Sequence, residues 1–572
     1  MVVLEEQTHS NSHRLRQLAP YGLASLTAVA LLVFARLDYD RIHDGFMMAQ
    51  ATAFNSGLSL HRDVSAVYGP VTPWIQGFFM TLPGPPALAV RLQTVAAISI
   101  TVFLIADLGR LRPSKSPVSY SGAFLAAVTW VVVSDIWLGG PMRPWSSLVI
   151  TLFVVLATYL ALRGWYWAER ARLGRSRILF GGAGFALGLT LFTRMSSGLL
   201  ILAALAVGSL ILIWLSRNGR ALFLCVVAGY MFAAAVVVAV LAMTQSVGPF
   251  VSDTIIWPLS YFSGERLSLG RFLAEMLPIY GIPVAVGILA LWAIRKMARM
   301  QYRRQRAMVS LVGGLGILAT LSLATRLKID TALIVTYWTS WRALVFFFIC
   351  GLTAAIAGIG FGLWNVSLRR DRGTSVLAWL VLGLLTLVCL VSIVPTINGR
   401  HIWWSLPLGL VMVYCVIQAV TRSHRLIENP LTLPLVAISL YACFTFGHNL
   451  ALTRVDAPSN SVAAGMQVSR EVADSLRSDE QLLTQSLGQA KAVFFTVTGD
   501  LAVLRGSYAA ADPFFTCWAP LPNLESRLQN RPPVVWDTTI EECGGAGVLA
   551  ELDRLGYILQ DKNPRLSVYV AP

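Results

Sequence analysis

Apolar runs dominate the chain, and its polar residues gather in short breaks between them. Crossing a hydrocarbon core as a helix takes about 20 largely apolar residues. Such runs lie at 19–36, 86–109, 117–138, 144–163, 178–193, 197–216 and 220–243. They continue at 277–295, 307–325, 341–364, 374–395, 401–421 and 430–451, so the pattern predicts about thirteen transmembrane helices. The division between 178–193 and 197–216 is the faintest, because only Thr193-Arg194-Met195-Ser196-Ser197-Gly198 interrupts it. Gly181, Gly184 and Gly188 fall at helical spacing and suit close helix contact in lipid.

Two polar stretches are too long for simple connectors. The first is residues 37–85, and the second is the tail after residue 452. The tail has strand-like runs at Ala492–Val497, Pro533–Trp536 and Leu566–Val570, and a helical pattern at Val548–Leu555. The expected organisation is therefore a cytoplasmic N-terminal tail at 1–18 and a transmembrane domain at 19–452 with its first extracytoplasmic loop at 37–85. A small α/β domain follows at 453–572.

Composition agrees with a polytopic α-helical membrane protein. Of 572 residues, 56% are hydrophobic and 13% charged, where a soluble domain carries about 25% charged residues. With a mean hydropathy of +0.65, the chain cannot cover itself with an aqueous surface. A disulfide scaffold, a coiled coil and a disordered chain are excluded. The net charge of +16 is unevenly placed: residues 453–572 hold 10 basic and 14 acidic side chains, so the excess lies in the breaks between spans. There it sets orientation and does not mark a nucleic-acid surface. Alternate breaks are the basic ones, including Arg110/Arg112/Lys115, Arg163–Arg177, Arg295–Arg306 and Arg369/Arg370/Arg372. The positive-inside rule then puts the N-terminus in the cytoplasm and, with an odd number of spans, the tail outside a plasma membrane. No cleavable signal is expected, since the first span ends Phe34-Ala35-Arg36-Leu37-Asp38 without a small-residue site. No C-x-x-C occurs among the seven cysteines; Cys517 and Cys543 can pair if the tail lies in an oxidising compartment.

Candidate chemistry gathers in the first loop, which reads Asp38-Tyr39-Asp40-Arg41-Ile42-His43-Asp44-Gly45-Phe46, then Gly57, Asp63 and Tyr68-Gly69-Pro70. Ile42, Phe46, Ala49 and Ala53 repeat at helical spacing and suggest an amphipathic helix lying in the membrane interface. Asp44 at its start can serve as a general base or simply as a helix N-cap. Asp38 and Asp40 read as a solvated interfacial pair; with no supporting His or Glu they make a poor metal site, and no metal is expected. Trp403-Trp404 and Trp165-Tyr166-Trp167 read as interfacial belts, with sugar stacking as the alternative for the first pair. No P-loop, zincin or nucleophile-elbow motif is present.

The run Asp44-Gly45, a helix, Gly57, Asp63 and Tyr68-Gly69-Pro70 resembles the first-loop signature of the GT-C glycosyltransferases. The branch it is most similar to holds protein O-mannosyltransferases and lipid A aminoarabinose transferases. Ala89-Val90-Arg91-Leu92 also resembles the start of that family's next span. The resemblance implies a sugar donor carried on a polyprenyl phosphate, met by a glycan, lipid or protein acceptor on the extracytoplasmic face, with no other cofactor. It maps the catalytic base to Asp44 and a second acidic position to Asp63. Gly45 stands where the family commonly has an acid, which leaves Asp40 or Asp38 as stand-ins. Arg194 and the pair Arg400-His401 resemble the family's phosphate-binding cations, and Tyr68 and Asp40 join them as substrate-binding candidates. Arg143, Arg266, Arg271, Arg326, Lys328 and Arg342 are weaker cation candidates. Ser134-Asp135-Ile136-Trp137 lacks the D-x-D of the metal-using oligosaccharyltransferase branch. The competing readings are a transporter or lipid flippase, which would show repeated halves and intramembrane acids, and a glycan polymerase with a large late loop.

Overall fold

The computed structural model describes residues 2–64, 66, 68–110, 118–134, 142–215, 218–256, 341–369, 374–391, 399–421, 452–488, 490, 492–495, 500–505, 528, 530–538 and 546–572. The chain is mostly helical. The expected spans at 277–295, 307–325 and 430–451 lie outside the described residues, as do Cys517 and Cys543.

Apolar helices of differing length lie at the other expected spans. They are α1 (Val2–Phe34), α4 (Pro86–Leu108), α5 (Tyr120–Val132), α6 (Ser146–Glu169), α7 (Leu173–Leu191), α8 (Met195–Leu215) and α9 (Gly219–Met243). Beyond them come the short α10 (Val247–Val251), a π-helical turn at Ser252–Ile256, then α11 (Trp341–Arg369), α12 (Thr374–Val391) and α13 (Gly399–Thr421). Four helical stretches among the described residues are long and apolar enough to cross a membrane by length and composition: Gln17–Phe34, Pro86–Leu108, Ser146–Glu169 and Gly219–Met243. One large apolar core joins α1, α4, α5, α6, α11, α12 and α13. The faint boundary near residue 194 is a real break, with α7 ending at Leu191 and α8 starting at Met195.

Glycine brings α7 and α9 to backbone contact. A methyl group at Gly184 would sit 1.9 Å from the Val226 carbonyl oxygen, and one at Gly229 would sit 1.9 Å from that of Gly181. These are distances no side chain tolerates, so the predicted close packing is met. Lipid supplies no hydrophobic drive between helices, so their affinity depends on such dispersion contact.

The first loop folds into two short helices, α2 (His43–Asn55) and α3 (Val71–Met80). The interfacial amphipathic reading of α2 is corrected. Residues 44–51 and Ala53 are all buried, while Ile42, on the expected apolar stripe, is 40% exposed. The helix packs against α3, against the tail helix Asp500–Arg505 and against α4.

The tail is α/β in its described residues. A small ribbon, β1 (Val455–Asp456) with β2 (Gln467–Val468), leads into α14 (Arg470–Leu487), capped by Ser469 Oγ accepting from Val472 N. A four-stranded sheet follows in the order β3 (Val493–Phe495), β4 (Val534–Asp537), β6 (Leu566–Val570), β5 (Ile558–Lys562). Helices α15 (Asp500–Arg505) and α16 (Ala546–Arg554) complete it. Strand β5 escaped the sequence reading because it is an exposed edge with polar residues and no alternation.

Substituting Gly184 by Val is expected to force α7 from α9 at a cost of about 1–3 kcal/mol. Thermal unfolding in detergent should show a midpoint several degrees below wild type; an unchanged midpoint would mean the helices can part freely.

Candidate active site

The α1–α2 turn is built around one arginine. Arg91, in the second turn of α4 and fully buried, uses all five guanidinium donors. Nη1 donates to the carbonyls of Ala35 (3.1 Å) and Leu37 (2.7 Å). Nη2 donates to Asp38 O and to Asp44 Oδ2, the latter at 2.5 Å, and Nε donates to Asp44 Oδ1 at 3.2 Å. Asp44 Oδ2 also accepts from Asp40 N at 2.9 Å.

The N-cap reading of Asp44 needs correction. It is not the N-cap, because helix α2 has Ile42 at that position with no side-chain bond. Its carboxylate has 0% exposure and both oxygens turned to Arg91. Burial raises the Asp44 carboxyl above the ordinary carboxylate range, against the pull of Arg91. Asp44 anchors the loop in this structure.

Asp40 is held by other polar side chains, so it is not the freely solvated group expected. Its Oδ1 accepts from His43 N at 3.1 Å, and Oδ2 lies 2.8 Å from His43 Nδ1 and 2.5 Å from Arg143 Nε. The His43 ring packs 4.9 Å from the Trp145 ring, which packs 5.8 Å from Tyr68. Arg194 lies over the opposite side of this wall, its guanidinium carbon 5.9 Å from the Tyr68 ring centre and Nη1 3.3 Å from Ser147 Oγ. No carboxylate among the described residues pairs with Arg194. A half-buried cation without an acid is suited to an anion from outside.

The Tyr68-Gly69-Pro70 motif fixes this geometry. Gly69 N and Val71 N both donate at 3.2 Å, to the carbonyls of Thr193 and Phe192 in the α7–α8 break. A methyl group at Gly69 would meet the Phe192 oxygen at 1.9 Å, so only glycine lets the loop close on the break. Burial pushes the Tyr68 phenol up.

The structure thus brings Tyr68 and Arg194 together and pairs Asp40 with Arg143, one of the weaker candidates, while the rings of His43 and Trp145 lie between the two groups. Asp63 stands apart. It accepts from Ser59 N at 2.8 Å and pairs with exposed Arg62, and the bonds from Arg62 hold its carboxyl below the usual range. No contact among the described residues links it to Asp40. Arg400 and His401 open α13, and their side chains lie outside the described residues, as do Arg266, Arg271, Arg326, Lys328 and Arg342. The belt reading of Trp403-Trp404 is corrected, since both are buried. Trp403 and Trp130 stack at 5.2 Å and each donates its indole N–H to the other's carbonyl at 2.9 Å, locking α5 to α13. Arg91 and His43 were missed as functional residues; their signals were an arginine inside an apolar span and a histidine three residues after Asp40.

No family model matches the chain, and no curated protein matches it. Solved structures similar to it include the oligosaccharyltransferase of Archaeoglobus fulgidus complexed with zinc and sulfate, at 11% identity over 96% of this chain and 73% of that one, TM-score 0.48. ArnT from Cupriavidus metallidurans bound to undecaprenyl phosphate is also similar, at 12% identity over 96% and 97%, TM-score 0.41. Both belong to the GT-C glycosyltransferases that the first loop resembles. With TM-scores below 0.5, these overlays carry no argument about the fold or chemistry of this chain.

Replacing Arg91 by Met should strand the buried Asp44 and cost about 3–5 kcal/mol, with only the share due to Asp44 recovered when Asp44 is changed to Leu as well, because the carbonyls of Ala35, Leu37 and Asp38 stay without their donor. Thermal unfolding of the two variants measures this. A single variant as stable as the double would show that Asp44 is solvated and not held by Arg91.

Proposed function

We propose that the chain is a membrane glycosyltransferase. It moves one sugar from a polyprenyl phosphate to an acceptor hydroxyl or amine of a cell-envelope glycan, lipid or protein on the extracytoplasmic face. The observation carrying this reading is a partly buried carboxylate, Asp40, linked through the rings of His43, Trp145 and Tyr68 to Arg194, a cation with no carboxylate partner among the described residues. The first-loop resemblance supplies the reaction class.

In the reaction, Asp40 accepts the proton of the acceptor O–H or N–H as its oxygen or nitrogen bonds to the sugar's anomeric carbon. The bond from that carbon to the phosphate oxygen breaks, and its electron pair leaves with the polyprenyl phosphate, which inverts the anomeric centre. His43 and Arg143 hold the Asp40 carboxylate in place. Arg194, with Arg400 in the same role, meets the charge developing on the phosphate, the kind of stabilisation that dominates when the leaving group needs no proton. Trp145 and Tyr68 offer ring faces between base and cation, where a sugar can stack.

Turnover of polyprenyl-phosphate sugars, read as released polyprenyl phosphate, tests this in purified protein. Asp40→Asn should lower kcat by about 10²–10⁴-fold, the usual worth of a general base, with donor binding kept. Arg194→Ala should weaken donor binding by roughly 10- to 150-fold, corresponding to about 1.5–3 kcal/mol for a charged hydrogen bond. Full turnover in Asp40→Asn would return the base role to Asp44, and failure of the wild type to bind any such donor would favour the transporter reading.

A further inference from the structure

We infer that the C-terminal region is a positioning element for the segment carrying Asp40, with Arg41 and Arg454 as its positioning residues. This rests on the role proposed for Asp40. The segment is held on both sides of that carboxylate by residues more than 400 positions away.

Before Asp40, Arg454 makes a two-point pair with Asp38, Nε to Oδ1 at 2.7 Å and Nη2 to Oδ2 at 2.8 Å. The backbone is stitched there too, with Asp38 N donating to Gln467 O at 2.9 Å and Gln467 N to Arg36 O at 2.7 Å. Asp38 has a φ of +52°, a conformation non-glycine residues adopt at a cost unless their surroundings impose it. Tyr39, next in line, is buried in one apolar cluster with Met466 and Val468.

After Asp40, the Arg41 side chain runs into the C-terminal region. Nε donates to Asp500 Oδ2 at 2.7 Å, and Nη1 to Asp479 Oδ2 at 2.7 Å and Ser475 Oγ at 2.9 Å. Asp479 is shared with Arg565, which also reaches Asp537 of β4 at 3.2 Å. The chain of charges thus runs from the loop to the sheet. Exposed ion pairs can slip with little consequence. Here the Asp479 and Asp500 side chains are 2% and 0% exposed, so these pairs are shielded from water and cost more to break. Residues 38, 39 and 41 are therefore fixed by the C-terminal region, while Asp40 keeps its carboxylate on His43 and Arg143. A catalytic group has to be held to within about 0.5 Å, and this clamp provides that from outside the helical domain.

The test uses the full chain with Arg41→Met combined with Asp500→Asn. This removes both members of one pair and leaves Asp479 with Arg565. Amide exchange over residues 36–42 is expected to rise at least tenfold while exchange in β4 and β6 stays at the wild-type rate. The kcat for polyprenyl-phosphate sugar should fall ten- to a hundredfold with the donor KM within twofold, and Arg41→Lys alone should keep part of the lost rate. Wild-type exchange, or wild-type kcat despite faster exchange, overturns the inference. If β4 and β6 also exchange faster, the sheet itself has loosened. Arg454→Met with Asp38→Asn, which leaves the sheet's own pairs intact, then decides on the same two readouts. If the wild type turns over no such donor, the transferase reading fails, and exchange over 36–42 alone decides whether the C-terminal region holds the segment.

Discussion

The buried guanidinium of Arg91 is the interaction on which the site depends. A buried charge is tolerated only when it is paired and its donors are satisfied. Arg91 meets that demand by collecting three carbonyls from the end of α1 and the carboxylate of Asp44 from α2. Within the helical domain, this one side chain ties the turn between those helices to α4. With residues 35, 37, 38 and 44 tied to α4, the residues between them have little freedom, and Asp40 is among them.

A second constraint acts from the other side of the site. The α7–α8 break leaves the carbonyls of Phe192 and Thr193 without helical partners, and the Tyr68–Val71 segment supplies the missing donors. Gly69 permits the approach, and its neighbour Tyr68 is carried to Arg194. Two local irregularities, one loop and one broken helix, thus satisfy each other and set Arg194 against Tyr68. Irregular backbone inside a helical bundle is tolerated where it is buried against protein.

Much of the architecture was legible because a span leaves a long, simple signal: about 20 apolar residues without relief. The α7–α9 contact was legible for a similar reason, as Gly181, Gly184 and Gly188 can only mean a face without side chains. The first loop was legible as a place but not in its division of labour. Asp38, Asp40 and Asp44 are chemically equal in the sequence, and they differ only through Arg454, Arg143 and Arg91, partners brought in by tertiary folding. Trp403 failed in the same way. A tryptophan pair at the start of a span reads as an interfacial belt, and only the reciprocal bonds with Trp130 reveal a core contact. Helix α2 shows the limit of periodicity, since a stripe of apolar residues says nothing about what covers the opposite face.

The account makes Asp40 the carboxylate that works and Asp44 the one that anchors, with Arg194 across the aromatic wall holding phosphate. An experimental structure of the protein with polyprenyl phosphate bound tests all three assignments at once. The account predicts the phosphate within hydrogen-bond distance of Arg194, Asp40 facing the same space, and Asp44 still paired with Arg91. A phosphate bound elsewhere, or an Asp44 released from Arg91 and turned towards it, would contradict the account.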